Sequence, residues 1–505
     1  MVAKVKTFAF LGIKALAVDV QVKISPGKAI FSIVGLADKA IAESKERIRA
    51  AISSMGLEFP YKRITVNLAP ADLLKEGSHY DLAIAIGLLI EIGVISQSLL
   101  NNYYCLGELS LDGFLTKVNG ILPASIEANA QNCGIICPEN CGSEALWAGN
   151  NDIIAASNLI SIINHFKNTQ FIPKPKVNYN EDQVHYADLK DIKGQEIAKR
   201  ALEIAAAGGH NLLMVGPPGT GKSMLASRLP SIMPELNLKE MLEINMIHSI
   251  GGKLDDGKLI KTRPFRDPHH SCSMPAMVGG GVKAKPGEIS LAHNGVLFLD
   301  ELAEFPRTVL DSLRQPIENG NISISRVNSH INYPANFQLI AAMNPCRCGY
   351  LMDESKFCNK APHCGRDYQS KISGPLLDRM DIIITVNQID IFQNSYKTES
   401  ESSKIVALRV KNARQIQNDR YEKDPEMENI ASKVNAKAKG SLVEKYVKLD
   451  DETLKILKEF VTKMKISMRS YNRILRVART IADLEQSEEV SKYNILEALS
   501  YKKTL

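Results

Sequence analysis

No stretch of the 505 residues is apolar for long enough to cross a bilayer. The longest such run, Leu82 to Ile95, falls short of the ~20 residues a spanning helix needs and is broken by Glu91. A secretion signal is also missing: Lys14 and Asp19 stand where its apolar stretch belongs, and no small-residue cleavage pattern follows. The protein is therefore expected in the cytoplasm, with no membrane partner. Its nine cysteines are odd in number and scattered, which argues against a disulfide framework and leaves metal binding or buried thiols. Repeats and low-complexity tracts are lacking. Neither sign of charge dominates: 62 Lys and Arg against 56 Asp and Glu leave a formal +6, too little by itself to demand a polyanionic partner.

What is present is ordinary globular usage, 45% hydrophobic and 23% charged, over a length that corresponds to about three domains of roughly 150 residues. The positive excess is local. Residues 401–505 carry 22 basic and 16 acidic side chains, so the carboxyl-terminal fifth is a basic module. Residues 1–165 alternate β-rich runs (Ala29 to Val34, Arg63 to Asn67) with helical ones (Lys39 to Ser54, Asp81 to Ile92), as in a mixed α/β domain. Residues 166–187 lose apolar periodicity around Pro173 and Pro175 and read as a linker. Strand and helix patterns then alternate over 188–392, as in a parallel sheet covered by helices. A polar stretch, Gln393 to Ser403, opens a helical final segment, 393–505.

The most specific chemistry lies in Gly216-Pro217-Pro218-Gly219-Thr220-Gly221-Lys222-Ser223, which fits G-x-x-x-x-G-K-[ST] between the apolar strand Asn211 to Val215 and a helix starting near Met224. Such a loop curls backbone N–H groups around phosphates at a helix N-terminus. Lys222 would reach the β- and γ-phosphates of ATP, and the Ser223 hydroxyl would hold Mg2+. Hydrolysis further needs a metal-binding carboxylate and a group acting on the attacking water. Gly295-Val296-Leu297-Phe298-Leu299-Asp300-Glu301 offers both at the end of a buried strand: Asp300 for Mg2+, through water, and Glu301 for the nucleophile. The strand Phe337 to Met343 ends in Asn344, either a turn residue or an amide placed to sense the γ-phosphate. Arg379, between Asp378 and Asp381 before the strand Ile382 to Val386, is either salt-bridged or a finger for a neighbouring subunit.

Cys346, Cys348, Cys358 and Cys364 fall in one short insertion after Asn344, with His363 beside the last. Four thiolates suit tetrahedral Zn2+, although C-x-C-x9-C-x5-C is irregular for a zinc ribbon; zinc and free thiols both stay open. Cys133, Cys137 and Cys141 straddle an apolar strand and read as structural. Arg469, Arg473 and Arg476 recur at helical spacing beside the apolar stripe of Ile474, Val477, Ala478 and Ile481; for the last two arginines an interface or solvated role is the plain reading.

The order P-loop, Asp-Glu, Asn and Arg resembles an AAA+ ATPase. Further stretches are similar to the ComM/YifB family of magnesium-chelatase-like AAA+ proteins over nearly the whole chain: Lys193-Gly194-Gln195, Ala201 to Leu213, Arg263-Pro264-Phe265-Arg266, Pro268-His269-His270, Pro286 to His293 and Ser470 to Leu484. That resemblance implies a hexameric ring ATPase acting on single-stranded or branched DNA, a helicase proposed to drive branch migration of recombination intermediates during natural transformation. It implies that Arg379 is an arginine finger acting in trans and that Arg469 is the second sensor. The carboxyl-terminal helices become the lid of the AAA+ core. Asp267 departs from the family's usual small residue before Pro268.

Two candidate DNA-contact hairpins follow from the resemblance. One spans about Arg263 to Lys285, with Arg266, His269, His270, Lys283 and Lys285 around Gly279-Gly280-Gly281; the other spans about Asn319 to Tyr333, with Arg326 and His330 flanking Asn328. Residue by residue, phosphate contact and pairing within the ring are equally open. His269 and His270 read as structural or interfacial rather than as metal ligands. The first domain resembles the Lon-protease fold through Lys75 to Leu82 and Leu106 to Ser110, but His79 and Pro123 stand where the Ser and Lys of a protease dyad belong, so a non-proteolytic platform for assembly or DNA binding is expected. An alternative is a magnesium-chelatase motor subunit that remodels a protein partner. A scaffold that only binds nucleotide is disfavoured by Lys222, Asp300 and Glu301, and an enhancer-dependent transcription activator by the missing G-A-F-T-G-A loop.

Overall fold

A computed structural model describes residues 2–149, 152–176, 186–254, 257–281, 284–326, 329–351, 358, 361, 363–388, 400–428, 432–464 and 466–502. Much of the polar stretch from Gln393, part of the expected linker, and Lys283, Asn328 and the Arg326 side chain lie outside the described residues and side chains. Among the described residues no helix is long and apolar enough to cross a membrane.

The amino-terminal part is a seven-stranded sheet in the order Phe31–Val34, Arg63–Ala69, Lys14–Ser25, Ala3–Leu11, Tyr103–Cys105, Gly134–Pro138, Ile153–Ala156. Its longest strand, Lys14–Ser25, alternates: Val18, Val20 and Val22 are buried while Asp19 and Lys23 face solvent. The apolar run noted in the sequence is the helix Asp81–Glu91, buried along nearly its whole length against that face. It lies close enough that a Cβ on Gly87 would come within 2.6 Å of Val22 Cγ2, so only glycine fits there. Helix Lys39–Ser54 begins where Asp38 accepts a hydrogen bond from the Ile41 amide (2.8 Å), and it buries Ile41, Ser44, Ile48, Ala51 and Ile52 at helical spacing.

The central sheet has five strands in the order Phe265–Arg266, Val296–Leu299, Gln338–Met343, Leu212–Val215, Ile382–Thr385, and every neighbouring pair is parallel. The strands Leu212–Val215, Val296–Leu299 and Gln338–Met343 are buried at every position, as two covered faces require. Helices Ser403–Glu422 and Met468–Leu484 pack on helix Glu196–Gly208 and share one apolar core with this sheet. Their polar faces are joined by a buried cluster. Asp483, wholly buried, pairs with Arg420 and with Arg479 (3.1 Å) and accepts from Asn435 Nδ2 (2.8 Å), while Asn435 also takes the Tyr421 hydroxyl (2.8 Å).

The amino-terminal part is docked directly on the central one, beyond what a linker alone would do. Glu144 is buried and its Oε1 accepts from the Leu122 amide (3.0 Å) and from Ser249 Oγ (2.6 Å) of the helix Leu238–Gly251. Lys117 Nζ donates to the Leu254 carbonyl at 2.8 Å and Trp147 Nε1 to that of Gly257 at 3.2 Å. Burial raises the Glu144 carboxyl above the usual range, and these hydrogen bonds oppose the rise.

Replacing Asp483 by Ala strips two buried guanidinium groups of their carboxylate. Urea unfolding of Asp483→Ala is expected to show a loss of about 3–5 kcal/mol, whereas a change below about 1 kcal/mol would mean that the cluster is not what ties the helices together.

Candidate nucleotide-binding site

Three neighbouring strands of the central sheet end at one edge, with Val215 opposite Met343 and Leu299 opposite Ala341. This places the P-loop, the Asp300-Glu301 pair and Asn344 side by side, outside the carboxyl ends of parallel strands where such folds bind ligands. Gly216 is pressed against the next strand, since a Cβ there would sit 2.1 Å from the Val386 carbonyl oxygen. Gly219 and Gly221 have φ of +77° and +85° and nothing within 4 Å of where a Cβ would stand, so the inner wall of the loop is open. The helix begins at Lys222, two residues earlier than the sequence suggested, because left-handed Gly221 ends the loop immediately before it. Thr220 Oγ1 closes the turn on the Pro217 carbonyl at 3.0 Å, and the ring of Pro218 meets Gly349.

Lys222 is buried and bonded inward. Its Nζ donates to the carbonyls of Gly216 and Pro217, each at 2.8 Å, and to Asn344 Oδ1 at 3.3 Å. Burial lowers its pKa, and the charges of Asp300 and Glu301 work against that. Ser223 Oγ donates to Asp300 Oδ2 at 2.6 Å, so the hydroxyl and the carboxylate expected to share a cation already face each other. Asp267 is a third acid at this edge, its carboxyl pushed up by burial and by Asp300. An open cradle of backbone amides, an adjacent lysine and a hydroxyl-carboxylate pair fit a nucleotide triphosphate with Mg2+.

Glu301 has a left-handed backbone (φ 52°) and a half-exposed side chain, whose Oε2 lies 3.3 Å from His270 Nδ1. The His270 ring in turn lies against that of His269, centroids 4.0 Å apart and planes tilted by 36°. From sequence these histidines read as structural or interfacial, or as DNA contacts of the first hairpin; in the fold His270 is the partner of the candidate general base. Gln195 is a second residue whose role only the fold displays: Nε2 donates to the carbonyls of Thr220 (3.4 Å) and Asn387 (2.8 Å), bracing the P-loop from behind.

Arg379 and Arg469 are not part of this edge. They meet each other instead, in a separate cleft of about 510 Å³ that no P-loop residue lines. Arg379 Nη2 lies 2.6 Å and Arg469 Nη2 3.4 Å from the same oxygen, Glu318 Oε1. Arg473, whose sequence setting suggests an interfacial or solvated residue, is buried and donates to Asp378 (3.2 Å) and the Met380 carbonyl (3.1 Å).

The two expected hairpins are present as strand pairs, Gly279–Gly280 with Lys285–Pro286 and Asn321–Arg326 with Ser329–Pro334. Arg266, a candidate DNA contact, is instead held by both carboxylate oxygens of Glu288 (2.6 and 2.8 Å), and Arg263 is held by Glu240 and the Asn294 carbonyl. Lys285 and His330 are exposed. The thiols of Cys346, Cys348, Cys358 and Cys364 gather within 4.8 Å of one another, without His363. Burial pushes Cys346 up to about 11, while the Tyr350 amide and the neighbouring thiols pull Cys348 down to about 7. Cys137 and Cys141 are buried, as expected of structural cysteines. In the amino-terminal part Ser78 donates to Glu108, Lys75 to the Pro70 carbonyl, and His79 bonds the Phe8 carbonyl (2.8 Å), so these residues form no Ser–Lys dyad.

Lys222→Ala is expected to abolish binding of a fluorescent ATP analogue. Glu301→Gln should bind it near normally while turnover falls at least ~100-fold; a Glu301→Gln protein that hydrolyses ATP at an undiminished rate would remove Glu301 from the chemistry.

Comparison with known proteins bears on the same regions. The family described as magnesium chelatase, subunit ChlI matches residues 188–393, and its companions, subunit ChlI of Mg-chelatase and the ChlI C-terminal family, match residues 20–141 and 400–502. Competence protein ComM of Haemophilus influenzae is 42% identical over 98% of this chain and 96% of its own length. YifB of Salmonella typhimurium is 41% identical over 99% of this chain and 97% of its own. Lon protease 2 of Bacillus subtilis is 25% identical over 32% of this chain and 33% of its own, in keeping with a Lon-like component of the α/β fold. With a relative of this identity matching end to end, and with a P-loop, an Asp-Glu strand end and an Asn strand end converging on one edge of a parallel sheet, the chain belongs to the ComM/YifB family of magnesium-chelatase-like AAA+ ATPases.

Proposed function

We propose that the protein is an ATP-driven homohexameric motor that acts on DNA in the cytoplasm, a helicase promoting branch migration during recombination of transforming DNA. The observation that carries this reading is the division of the catalytic set into two places. The P-loop, Asp300, Glu301 and Asn344 share one edge, while Arg379 and Arg469 lie together in a cleft that this edge does not reach. One copy therefore holds a site lacking its arginines and arginines lacking a site. A ring in which each cleft faces the next copy's P-loop completes both.

In that ring the backbone N–H groups of residues 219–222 and the Lys222 side chain would bind the phosphates, Ser223 and Asp300 would hold Mg2+, and Glu301 would draw a proton from the attacking water. When bound, Mg2+ neutralises charge on the β- and γ-oxygens. Glu301 is paired with His270 (3.3 Å), and His270 belongs to the same stretch as the Gly279–Gly280 hairpin strand. A hairpin that meets DNA phosphates through Lys285 is thus linked by chain to the general base. The similarity to a competence protein and the basic carboxyl-terminal module favour DNA as the partner. A chelatase-like motor that remodels a protein is the second reading, favoured by the families matched.

Two measurements test this. ATPase activity is expected to rise at least ~10-fold with single-stranded or four-way-junction DNA at low salt and to lose that rise as salt increases; activity indifferent to every nucleic acid would favour the protein-remodelling reading. Mixing inactive Arg379→Ala and Glu301→Gln copies should restore part of the activity, because some interfaces then carry both an intact Glu301 and an intact Arg379.

For the cysteine cluster the reading is a structural zinc. Four thiolates at the ~2.3 Å zinc–sulfur distance lie roughly 3.8 Å apart, within the observed spread of 4.8 Å. Metal analysis of protein purified without chelator should give about one zinc per chain. Free reaction of all four thiols in the native protein, with no metal released, would establish the free-thiol alternative.

A further inference from the structure

The cleft that holds Arg379 and Arg469 carries more positive than negative groups. Arg379, Lys437, Arg469, Arg473 and Arg476 line it against Glu318, Asp378 and Asp381. Two of the three acids are already engaged elsewhere: Asp378 by Arg473 (3.2 Å), Asp381 by the Asn211 amide (3.1 Å) and His210 (3.6 Å). Arg476 Nε is buried with no hydrogen-bond partner. Glu318 is therefore the acid left to serve the two arginines expected to meet a neighbour's nucleotide, and one of its oxygens serves both.

Glu318 also sits at a telling place in the chain. It belongs to the short helix Arg314–Asn319, which Gly320 ends at φ +68°, and the hairpin strand Asn321–Arg326 follows directly. Arg379 grips that helix twice, through Glu318 and through Nε to the Arg314 carbonyl (3.1 Å), and Lys437 donates to the Ile317 carbonyl at 3.4 Å. The base of the hairpin is thus fastened to the candidate finger.

We propose that Glu318 is a positioning residue that stands in for the γ-phosphate of the neighbouring copy, holding Arg379 and Arg469 in register until ATP at the adjoining P-loop takes them over and frees the helix that carries the Asn321–Pro334 hairpin. This rests on the reading that both arginines act across the subunit boundary. Glu318 is half-exposed and divides one oxygen between a largely buried Arg379 and an exposed Arg469, whereas a triphosphate brings more charge and more acceptor oxygens to the same donors. The exchange is therefore favourable when a loaded neighbour is present and reverses when phosphate leaves. No bond is made or broken in it. One anion replaces another at two guanidinium groups, and the displaced carboxylate turns to solvent.

The test is Glu318→Gln, which keeps the side chain's shape and removes its charge, with Glu318→Asp as the charge-retaining control. Without the competing charge only neutral acceptors hold Arg379, the Arg314 and Pro375 carbonyls among them, so the ATP concentrations for half-maximal ATPase activity and for hexamer assembly are both expected to fall about three- to ten-fold. Glu318→Asp should stay near the parent. A merely structural Glu318 would instead lower the melting temperature and leave half-saturation where it was. Half-saturation and assembly that are unchanged, or shifted to higher ATP, in a Glu318→Gln protein with parental melting temperature would overturn the proposal. The mixed-copy experiment separates the layers. If Arg379→Ala and Glu301→Gln copies together regain nothing although mixed rings form, the cross-boundary reading fails and the proposal with it. If they regain activity while Glu318→Gln shifts neither quantity, only the role of Glu318 falls.

Discussion

Parallel pairing of the strands Leu212–Val215, Gln338–Met343 and Val296–Leu299 is the constraint from which the site follows. Because the three run the same way and in register, whatever follows each carboxyl end must emerge at the same edge. A glycine-rich turn, an acidic pair and an asparagine separated by some 130 residues of chain thereby become neighbours. The strands hold this register because every side chain on them is buried, Leu, Met, Val, Phe, Ile and Ala filling both faces and Gln338 donating to the Ala205 and His210 carbonyls; a slip of one residue would turn each of them to the opposite face and misplace every strand end.

A second theme is that polar groups meant for a ligand already have partners within the chain. Lys222 donates to the carbonyls of its own loop, Ser223 to Asp300, Arg379 to Glu318, and Glu301 pairs with His270. Leaving a buried donor without a partner costs about 1–3 kcal/mol, which makes the contacts of Lys222 and of the largely buried Arg379 necessary to the folded chain, while those of the exposed Ser223 and Glu301 are made at little cost. Ligand binding then becomes an exchange of acceptors. The affinity it gains is a difference between two sets of hydrogen bonds, and on the proposed reading a single carboxylate, Glu318, would thereby set the concentration at which the exchange occurs.

What the sequence disclosed follows the same division. The P-loop and the Asp300-Glu301 pair were legible because their chemistry is local: a motif of eight residues between a strand and a helix carries its own context. The helix Lys39–Ser54 was legible for a similar reason, its apolar spacing being contiguous. Arg266 misled, because nothing beside it announces that Glu288, twenty-two positions away, takes its guanidinium. His270 and Gln195 stand in family-like stretches that say nothing of their contacts and Glu318 stands in none; the partners of all three are set by how the chain folds back over the sheet. The docking of the two α/β parts was equally hidden. It depends on Glu144 meeting Ser249 across 105 positions of chain, a pairing that no periodicity encodes.

The cysteine cluster shows how an insertion acts on a site without entering it. It begins two residues past Asn344, so whatever fixes Cys346 also fixes the end of the strand that presents that amide to Lys222. Its turn passes through Gly349, whose φ of +83° and contact with the Pro218 ring press the insertion against the P-loop. A side chain at that position would push on the proline ring. The P-loop is therefore braced on two sides, by Gln195 behind and by the cysteine turn in front, while its inner wall at Gly219 and Gly221 stays open. Rigidity where the loop meets protein, and space where it meets phosphate, are what a preorganised phosphate cradle requires.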